Sequence, residues 1–188
     1  EKLPLNKISI IYDISDVNEK RFVANIIVKG NEITEEKVIR NNLFFSEGDR
    51  FNSTNLNKST DSLKSLGIFK NIKIDVLDSK NSKNVNLVVS VDEKPTGEIS
   101  AGLGYGTSGA AISFAIKEKN FLGKGIESNI SMQLGSEKVL GIISLSDPDF
   151  SDTGNSLKGS FFVSQYTYDN AGYDNKVIGS SLSKSYRA

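Results

Sequence analysis

The stretch EISAGLGYGTSGAAISFAIKEKNFLGKG, residues 98–125, decides the fold. Apolar residues in it alternate with small or polar ones, and a strand sends successive side chains to opposite faces. The stretch therefore predicts two strands joined by a glycine-rich tip, with a turn after the second. Each is close to the 9–11 residues that a tilted strand needs to cross a bilayer. We interpret the stretch as the first hairpin of a transmembrane β-barrel.

The alternation continues through the rest of the chain. It is clearest at residues 126–134, where Ile126, Ile130, Met132 and Leu134 share one face and the other face is polar. Further strands are predicted at 139–146, 157–166 and 177–186, with a polar loop at 167–175. Pro148 ends the first of these, because proline cannot sit inside a central ladder. Bacterial barrels have at least eight strands, so six strands indicate part of a longer protein.

Composition removes most kinds of chemistry. The chain has no Cys and no His, and its formal net charge is zero. It therefore lacks a thiolate, the commonest general base and the commonest metal ligand. We expect no enzyme, no catalytic residue, no cofactor, no metal site and no nucleic-acid partner. No leader peptide is visible at the start, and no apolar run is long enough for a membrane-spanning helix.

The two halves of the chain differ in composition. Residues 1–97 contain 29 charged residues and 4 glycines, whereas residues 98–188 contain 17 and 12. The first half is typical of a small charged α/β domain, and the second of glycine-rich sheet. We place the boundary near residues 95–97.

The first half predicts the order β-α-α-β-β. Strands are expected at residues 22–28, around 72–76 and at 85–91. Thr34 is the expected N-cap of a first helix through Leu43, and a second helix is expected at 54–66, stopped by Gly67. Two helices would then cover one face of a three-stranded sheet. Residues 1–12 contain a short strand, ISIIY, that this domain does not need.

Several segments resemble known sequences. Gly30-Asn31, VIRNNL (38–43), EGDRFN (47–52) and LKSLGIFKNIKI (63–74) resemble a polypeptide-transport-associated (POTRA) domain. VDEKPTGEISAGLGYGTSGA (91–110) and EKNFLGKG (118–125) resemble the junction and first hairpin of the BamA family of outer-membrane protein assembly factors. The resemblance implies the end of a preceding POTRA module and a connector at 1–20. It implies a POTRA domain at 21–95 and the first six or so barrel strands at 96–188.

The resemblance also implies a function without covalent chemistry. The family inserts and folds outer-membrane proteins, with its barrel in the outer membrane and its POTRA domains in the periplasm. Expected partners are unfolded outer-membrane clients, accessory assembly lipoproteins and outer-membrane lipid. Neither ATP nor a metal is needed.

Three sets of residues are the candidate sites. The POTRA strand that could pair with an extended client is Ile72, Lys73, Ile74, Asp75 and Val76. The strand that would form a weak barrel seam is Ile99, Ser100, Ala101, Gly102, Leu103 and Gly104. The expected periplasmic turn is Asn120, Phe121, Leu122 and Gly123.

Each pattern has a simpler interpretation. The strand around Ile74 could be internal to its sheet, and Gly102 and Gly104 could provide only packing room or a kink. Gly104, Gly106 and Gly109 match the dinucleotide fingerprint GxGxxG, but the following segment alternates like a strand rather than opening a helix. The aspartates of residues 147–152 do not fit the spacing of a calcium loop, so we expect a solvated turn.

Other functions stay open at this point. The nearest is a sister transporter with POTRA domains and a barrel, either a two-partner-secretion pore or a TamA-like translocation factor. A binding module followed by a soluble β-sandwich is a second class, and a nucleotide-binding enzyme is a remote third.

Overall fold

A computed structural model of the chain describes residues 20–79, 83–106, 109–168 and 172–186. The strand and connector predicted within residues 1–19 lie outside the described residues, and so do residues 107–108 at the tip of the first hairpin. The described chain forms two sheets, one of three strands and one of six.

The first sheet and its helices follow the predicted order β-α-α-β-β. The elements are β1 (Phe22–Lys29), α1 (Glu36–Arg40), α2 (Ser53–Ser65), β2 (Phe69–Asp78) and β3 (Asn84–Glu93). The strand order is β1-β3-β2, with β1 parallel and β2 antiparallel to the central strand β3.

The helices cover one face of this sheet and enclose a single core. The largest fully buried apolar side chains are Ile39, Leu63, Ile68, Leu87, Val23, Val85 and Val89. Each of these contributes about 1.5–3 kcal/mol by leaving water. The buried hydroxyl of Ser59 is satisfied, since it accepts the Phe44 N–H at 2.8 Å and donates to the Asn55 carbonyl at 2.8 Å.

The first helix differs from the prediction. It is a single turn whose N-cap residue is Glu35, without a side-chain cap, so the prediction of Thr34 as N-cap is wrong. The Thr34 side chain is buried and serves a different contact, described below. The second helix begins one residue early, capped by the Asn52 carboxamide, and stops before Gly67, whose φ of +67° matches the predicted end.

The six remaining strands form one antiparallel sheet in chain order. They are β4 (Gly97–Gly106), β5 (Gly109–Phe121), β6 (Ile126–Gly135), β7 (Lys138–Asp147), β8 (Ser156–Tyr168) and β9 (Tyr173–Ser185). Over the described residues this sheet is open, with β4 and β9 at its edges. The turns after β5 and β7 lie at the end of the sheet that meets the POTRA-like domain, which we call the junction end.

Cross-strand pairing aligns the apolar side chains into rows. Paired residues share a face, so each row crosses the sheet on one side. On the face that we call the apolar face, one row is Ile99, Ile116, Ile130, Ile143 and Phe161. On the opposite face a typical row is Ser100, Ala115, Ser131, Ile142 and Phe162, so that face is polar on β4–β6 but partly apolar on β7 and β8.

The predicted polar loop at residues 167–175 is too long. β8 extends to Tyr168 and β9 begins at Tyr173. These two tyrosines are register partners, and their rings stack with centroids 4.9 Å apart. The hydrogen-bonded ladder of β8 and β9 therefore continues past residue 166, where the sequence predicted that the strand would end.

Candidate functional site

The strand predicted to pair with an extended client is an edge strand. β2 pairs with β3 along one side, and no other described strand pairs with it. Ile72, Ile74 and Val76 pack against the core, while Lys73 and Asp75 form a salt bridge of 2.9 Å on the other face. The side chains therefore fix the strand in its sheet, and one row of its backbone groups is left for another chain.

The opposite edge of the same sheet, along β1, is covered at Val23 and Ile26. The Val23 N–H donates to the Asp49 carbonyl at 2.9 Å, and the Val23 carbonyl accepts the Gly48 N–H at 2.7 Å. The Ile26 N–H donates to the Glu47 carboxylate at 3.1 Å, and the Ile26 carbonyl accepts the Arg40 guanidinium at 2.7 Å. An unpaired strand edge invites another strand, and covering it removes that opportunity. Within the described part of the domain, β2 is thus the edge available for pairing.

The predicted seam strand, β4, is also at an edge. It pairs with β5 from Gly97 to Gly106 without a bulge, and no second partner exists among the described strands. Nearly all of it is exposed, including Leu103 and Tyr105. Its backbone is therefore held on one side only.

The glycines of β4 bear on the interpretation that they provide packing room. A Cβ built on Gly104 or Gly106 would meet no described atom within 4 Å. One built on Gly102 would lie 2.8 Å from the Ser113 hydroxyl, which can rotate away. Packing within the described residues therefore does not require Gly104 or Gly106. Glycine weakens a strand because it orders more backbone and offers no cross-strand side chain.

The predicted turn at residues 120–123 lies against the POTRA-like domain. β5 continues through Phe121, and a register shift between Glu118 and Phe121 buries Asn120 within the junction. The Asn120 amide donates to the Thr34 hydroxyl at 2.9 Å, and its carbonyl oxygen accepts the Gly125 N–H at 2.8 Å. Asn120 thus bonds to both the domain and the turn.

A backbone contact reinforces this link. The Glu35 N–H donates to the Gly123 carbonyl at 2.8 Å. Gly123 has a φ of +74°, and a Cβ built on it would lie 2.2 Å from the Ile33 carbonyl oxygen. Only glycine fits this close approach.

Glu93, the last residue of β3, holds the loop that carries Thr34. Its carboxylate accepts the backbone N–H groups of Glu32 (3.0 Å), Ile33 (2.9 Å) and Thr34 (2.7 Å). Burial raises the pKa of Glu93, but hydrogen bonds from the Thr34 side chain and these N–H groups outweigh it and hold that pKa below its ordinary value. The loop is therefore anchored to an ionised carboxylate.

The aspartates after β7 lie in a turn that is largely exposed, as predicted, and they also form a second contact with the first domain. The Asn41 amide donates to Asp149 at 2.8 Å and to Asp152 at 2.7 Å, and Lys37 lies 3.1 Å from Asp152. The hydrogen bond from Lys37 lowers the pKa of Asp152. A cavity of about 200 Å³ lies between this turn and α1.

The described residues contain no group of three or more His, Cys, Asp or Glu side chains that could hold a metal ion. The segment after the GxGxxG match is β5, not the helix that a dinucleotide site needs. No helix within the described ranges is both long and apolar enough to cross a membrane.

The sequence placed Asn120 in the predicted turn and Thr34 at a helix start, but it indicated neither the contact between them nor the role of Glu93. Thr34 precedes two glutamates and fits a helix start, and Glu93 stands in a charged linker. Of the three residues, only Asn120 gave a signal in the sequence, because it is a polar residue within the predicted turn. Its neighbours in that turn already explained why the chain reverses direction there.

Comparison with known proteins agrees with this architecture. The family model described as POTRA, surface antigen variable number repeat, matches residues 22–94. The outer membrane protein assembly factor BamA of Buchnera aphidicola subsp. Acyrthosiphon pisum (strain APS) is 30% identical over 156 residues, which are 82% of this chain and 25% of that protein. The corresponding factor of Nitratidesulfovibrio vulgaris is 24% identical over 176 residues, 92% of this chain and 22% of that protein.

A solved structure is similar over both sheets. The crystal structure of BamA from Haemophilus ducreyi lacking POTRA domains 1–3 has a TM-score of 0.79 and 25% identity, and the match covers 90% of this chain and 33% of that one.

Together these findings define a POTRA domain followed by strands of an outer-membrane β-barrel. The chain belongs to the BamA/Omp85 family of non-enzymatic factors, whose members assemble outer-membrane proteins. It spans about a quarter of the length of the curated relatives it matches.

Proposed function

We propose that this chain receives extended outer-membrane clients by backbone pairing, first at β2 of the POTRA domain and then at β4 of the barrel. The observation that carries the proposal is the difference between the two edges of the POTRA sheet. The chain's own atoms bond the outer edge of β1 at Val23 and Ile26, whereas no described strand or loop bonds the outer edge of β2. A sheet that protects one edge and leaves the other open is suited to accept a strand there.

Pairing at β2 would tolerate many client sequences. Backbone hydrogen bonds supply the affinity in strand addition, and side chains matter only at alternate positions. The outer face of β2 carries Lys73 and Asp75, which already satisfy each other. A client would therefore meet no strong charge preference there.

Pairing at β4 would solve the problem that hydrocarbon creates for a client strand. Unpaired backbone groups cost several kcal/mol each in lipid, so a strand needs its partner before it enters. β4 offers an exposed edge whose glycines lack side-chain pairs that would favour one fixed neighbour. When β4 exchanges its pairing with the closing strand of the barrel for pairing with a client strand, no ATP is required.

The partners follow from this mechanism and from the family. They are unfolded outer-membrane proteins, accessory assembly lipoproteins and outer-membrane lipid, with the POTRA domain on the periplasmic side. The apolar face of the β4–β9 sheet faces acyl chains.

The test uses a photo-crosslinking side chain in the full-length protein during client assembly. One variant places it at Lys73 on β2, and the control places it at Ile27 on β1, where the side chain is also exposed. We expect client adducts at position 73 and few at position 27. Equal adducts at both positions would contradict pairing at β2.

The same experiment separates the sister-transporter function. Adducts with a secreted polypeptide, in the absence of adducts with integral outer-membrane proteins, would favour translocation over assembly.

A further inference from the structure

Three large apolar side chains at the junction belong to neither core. Ile33 and Leu122 are each 71% exposed, and Phe121 is 39% exposed. Clustered exposed apolar side chains mark a surface that contacts a partner or a membrane.

Ile33 comes from the POTRA domain, yet its position is fixed against the barrel. Its carbonyl oxygen lies so near Gly123 that no side chain fits between them, and the Glu35 N–H bonds to Gly123. Its own N–H is bonded to Glu93. The loop that carries Ile33 is therefore held beside the β5–β6 turn from both sides.

The turn residues continue the apolar face of the barrel sheet. The register shift after Glu118 pairs Phe121 with Ile126, which begins the apolar face of β6. Phe121 therefore lies at the junction end of the same surface that carries Ile130. Leu122 follows Phe121 in the chain, and the Ile33 carbonyl lies against Gly123, the next residue of the turn.

The backbone of Leu122 has a conformation that is unusual for leucine, so the choice of leucine there needs a reason. Its φ is +58°, a conformation in which glycine or asparagine is usual and leucine is strained. Since the side chain is exposed, packing within the described residues does not explain a leucine there. A requirement for an apolar side chain at this point does explain it.

We propose that Ile33, Phe121 and Leu122 insert into the interfacial region of the lipid leaflet on the POTRA side. The POTRA domain is thereby tethered to the bilayer by Ile33 as well as to the barrel by its hydrogen bonds. The occupant is lipid, because the cluster is continuous with the lipid-facing surface and lies where the strands end. This inference rests on the barrel lying in the membrane and not on strand pairing with clients.

The test is depth-dependent fluorescence quenching in the full-length protein. Variants Ile33→Cys, Leu122→Cys and the control Leu77→Cys carry an environment-sensitive fluorophore, in a background without other reactive cysteines. Leu77 is an exposed apolar residue at the far end of β2, so its label reports the water-exposed POTRA surface. The protein is reconstituted in vesicles of phosphatidylethanolamine and phosphatidylglycerol, with and without lipids that carry a nitroxide near the headgroup.

Lipid nitroxide should quench the labels at positions 33 and 122 several-fold more than the label at position 77. Aqueous iodide should show the reverse order. Quenching at position 33 equal to that at position 77 would overturn the tether, even if position 122 were quenched. A label at position 33 shielded from both quenchers would indicate coverage by protein and would also overturn it. These side chains are exposed, so the substitutions should leave folding intact.

Discussion

The Asn120 amide of the barrel donates a hydrogen bond of 2.9 Å to the Thr34 hydroxyl of the POTRA domain. Both side chains are buried, at 7% and 2% exposure. Thr34 is in turn bonded to Glu93, and Asn120 to the Gly125 N–H. A continuous polar chain therefore links the end of β3 to the first turn at the junction end.

The Thr34 hydroxyl should be needed to hold this turn. Thr34→Val leaves the buried Asn120 amide without its acceptor, which costs about 1–3 kcal/mol. We expect amide exchange at Gly125 to become about tenfold faster, the factor that a cost of about 1.4 kcal/mol within this range corresponds to. Hydrogen exchange of the full-length protein measures this.

The control for that variant is Thr60→Val. It removes a hydroxyl that bonds only within α2, to the Leu56 carbonyl. It should leave Gly125 exchange unchanged. Equal acceleration by both variants would mean that the turn responds to general destabilisation of the domain.

Gly123 should be irreplaceable even by alanine. Gly123→Ala adds a left-handed backbone cost of about 1–2 kcal/mol and a clash with the Ile33 carbonyl. Gly48→Ala carries a similar backbone cost, since its φ is +95°, but has open space around it. Exchange at the Glu35 N–H should therefore rise much more in the first variant, and equal effects would disprove the close contact.

The junction should weaken in acid. The pKa of Glu93 is lower in the folded protein than in the unfolded chain, so its contribution is present above the unfolded value of about 4.3. It is lost as the pH falls through the lower folded value. The protection factor at the Thr34 N–H, which corrects for the intrinsic pH dependence of exchange, should fall across that interval. In Glu93→Gln it should be lower at neutral pH and nearly independent of pH. A parent protein whose protection at Thr34 does not fall there would contradict the carboxylate anchor.

Replacing a glycine of β4 with alanine should slow client assembly without destabilising the fold. Gly104→Ala has room for its methyl group and strengthens the strand by about 0.5–1 kcal/mol. We expect slower client insertion in a reconstituted assay and an unchanged melting temperature of the POTRA domain. Gly159→Ala on β8 also has room and is the matched control. Equal slowing by both would remove the special role of β4.

The sequence predicted those features that depend on local pattern. Alternation at residues 126–134 is a property of the strand itself, and β6 matches it. Gly67 ends α2 because a left-handed residue is needed there whatever surrounds it.

Features that depend on distant partners could not be predicted in this way. Thr34 satisfies the local rule for an N-cap, but Asn120, 86 residues away, binds its hydroxyl instead. Closure of the β1 edge depends on where Glu47 and Arg40 fold back, which no local pattern encodes. The same limit applies to Asp152, whose ion pair with Lys37 joins segments more than 100 residues apart.

Disulfide scanning between β4 and the terminal strand of a stalled client tests backbone pairing most directly. Single cysteines at positions 99 to 104 of the full-length protein would be combined with single cysteines along the client strand. We expect one fixed register, in which each step of one residue along β4 moves the best partner by one residue along the client. Crosslinks that show no constant register, or that form equally with cysteines on the covered strand β6, would contradict it.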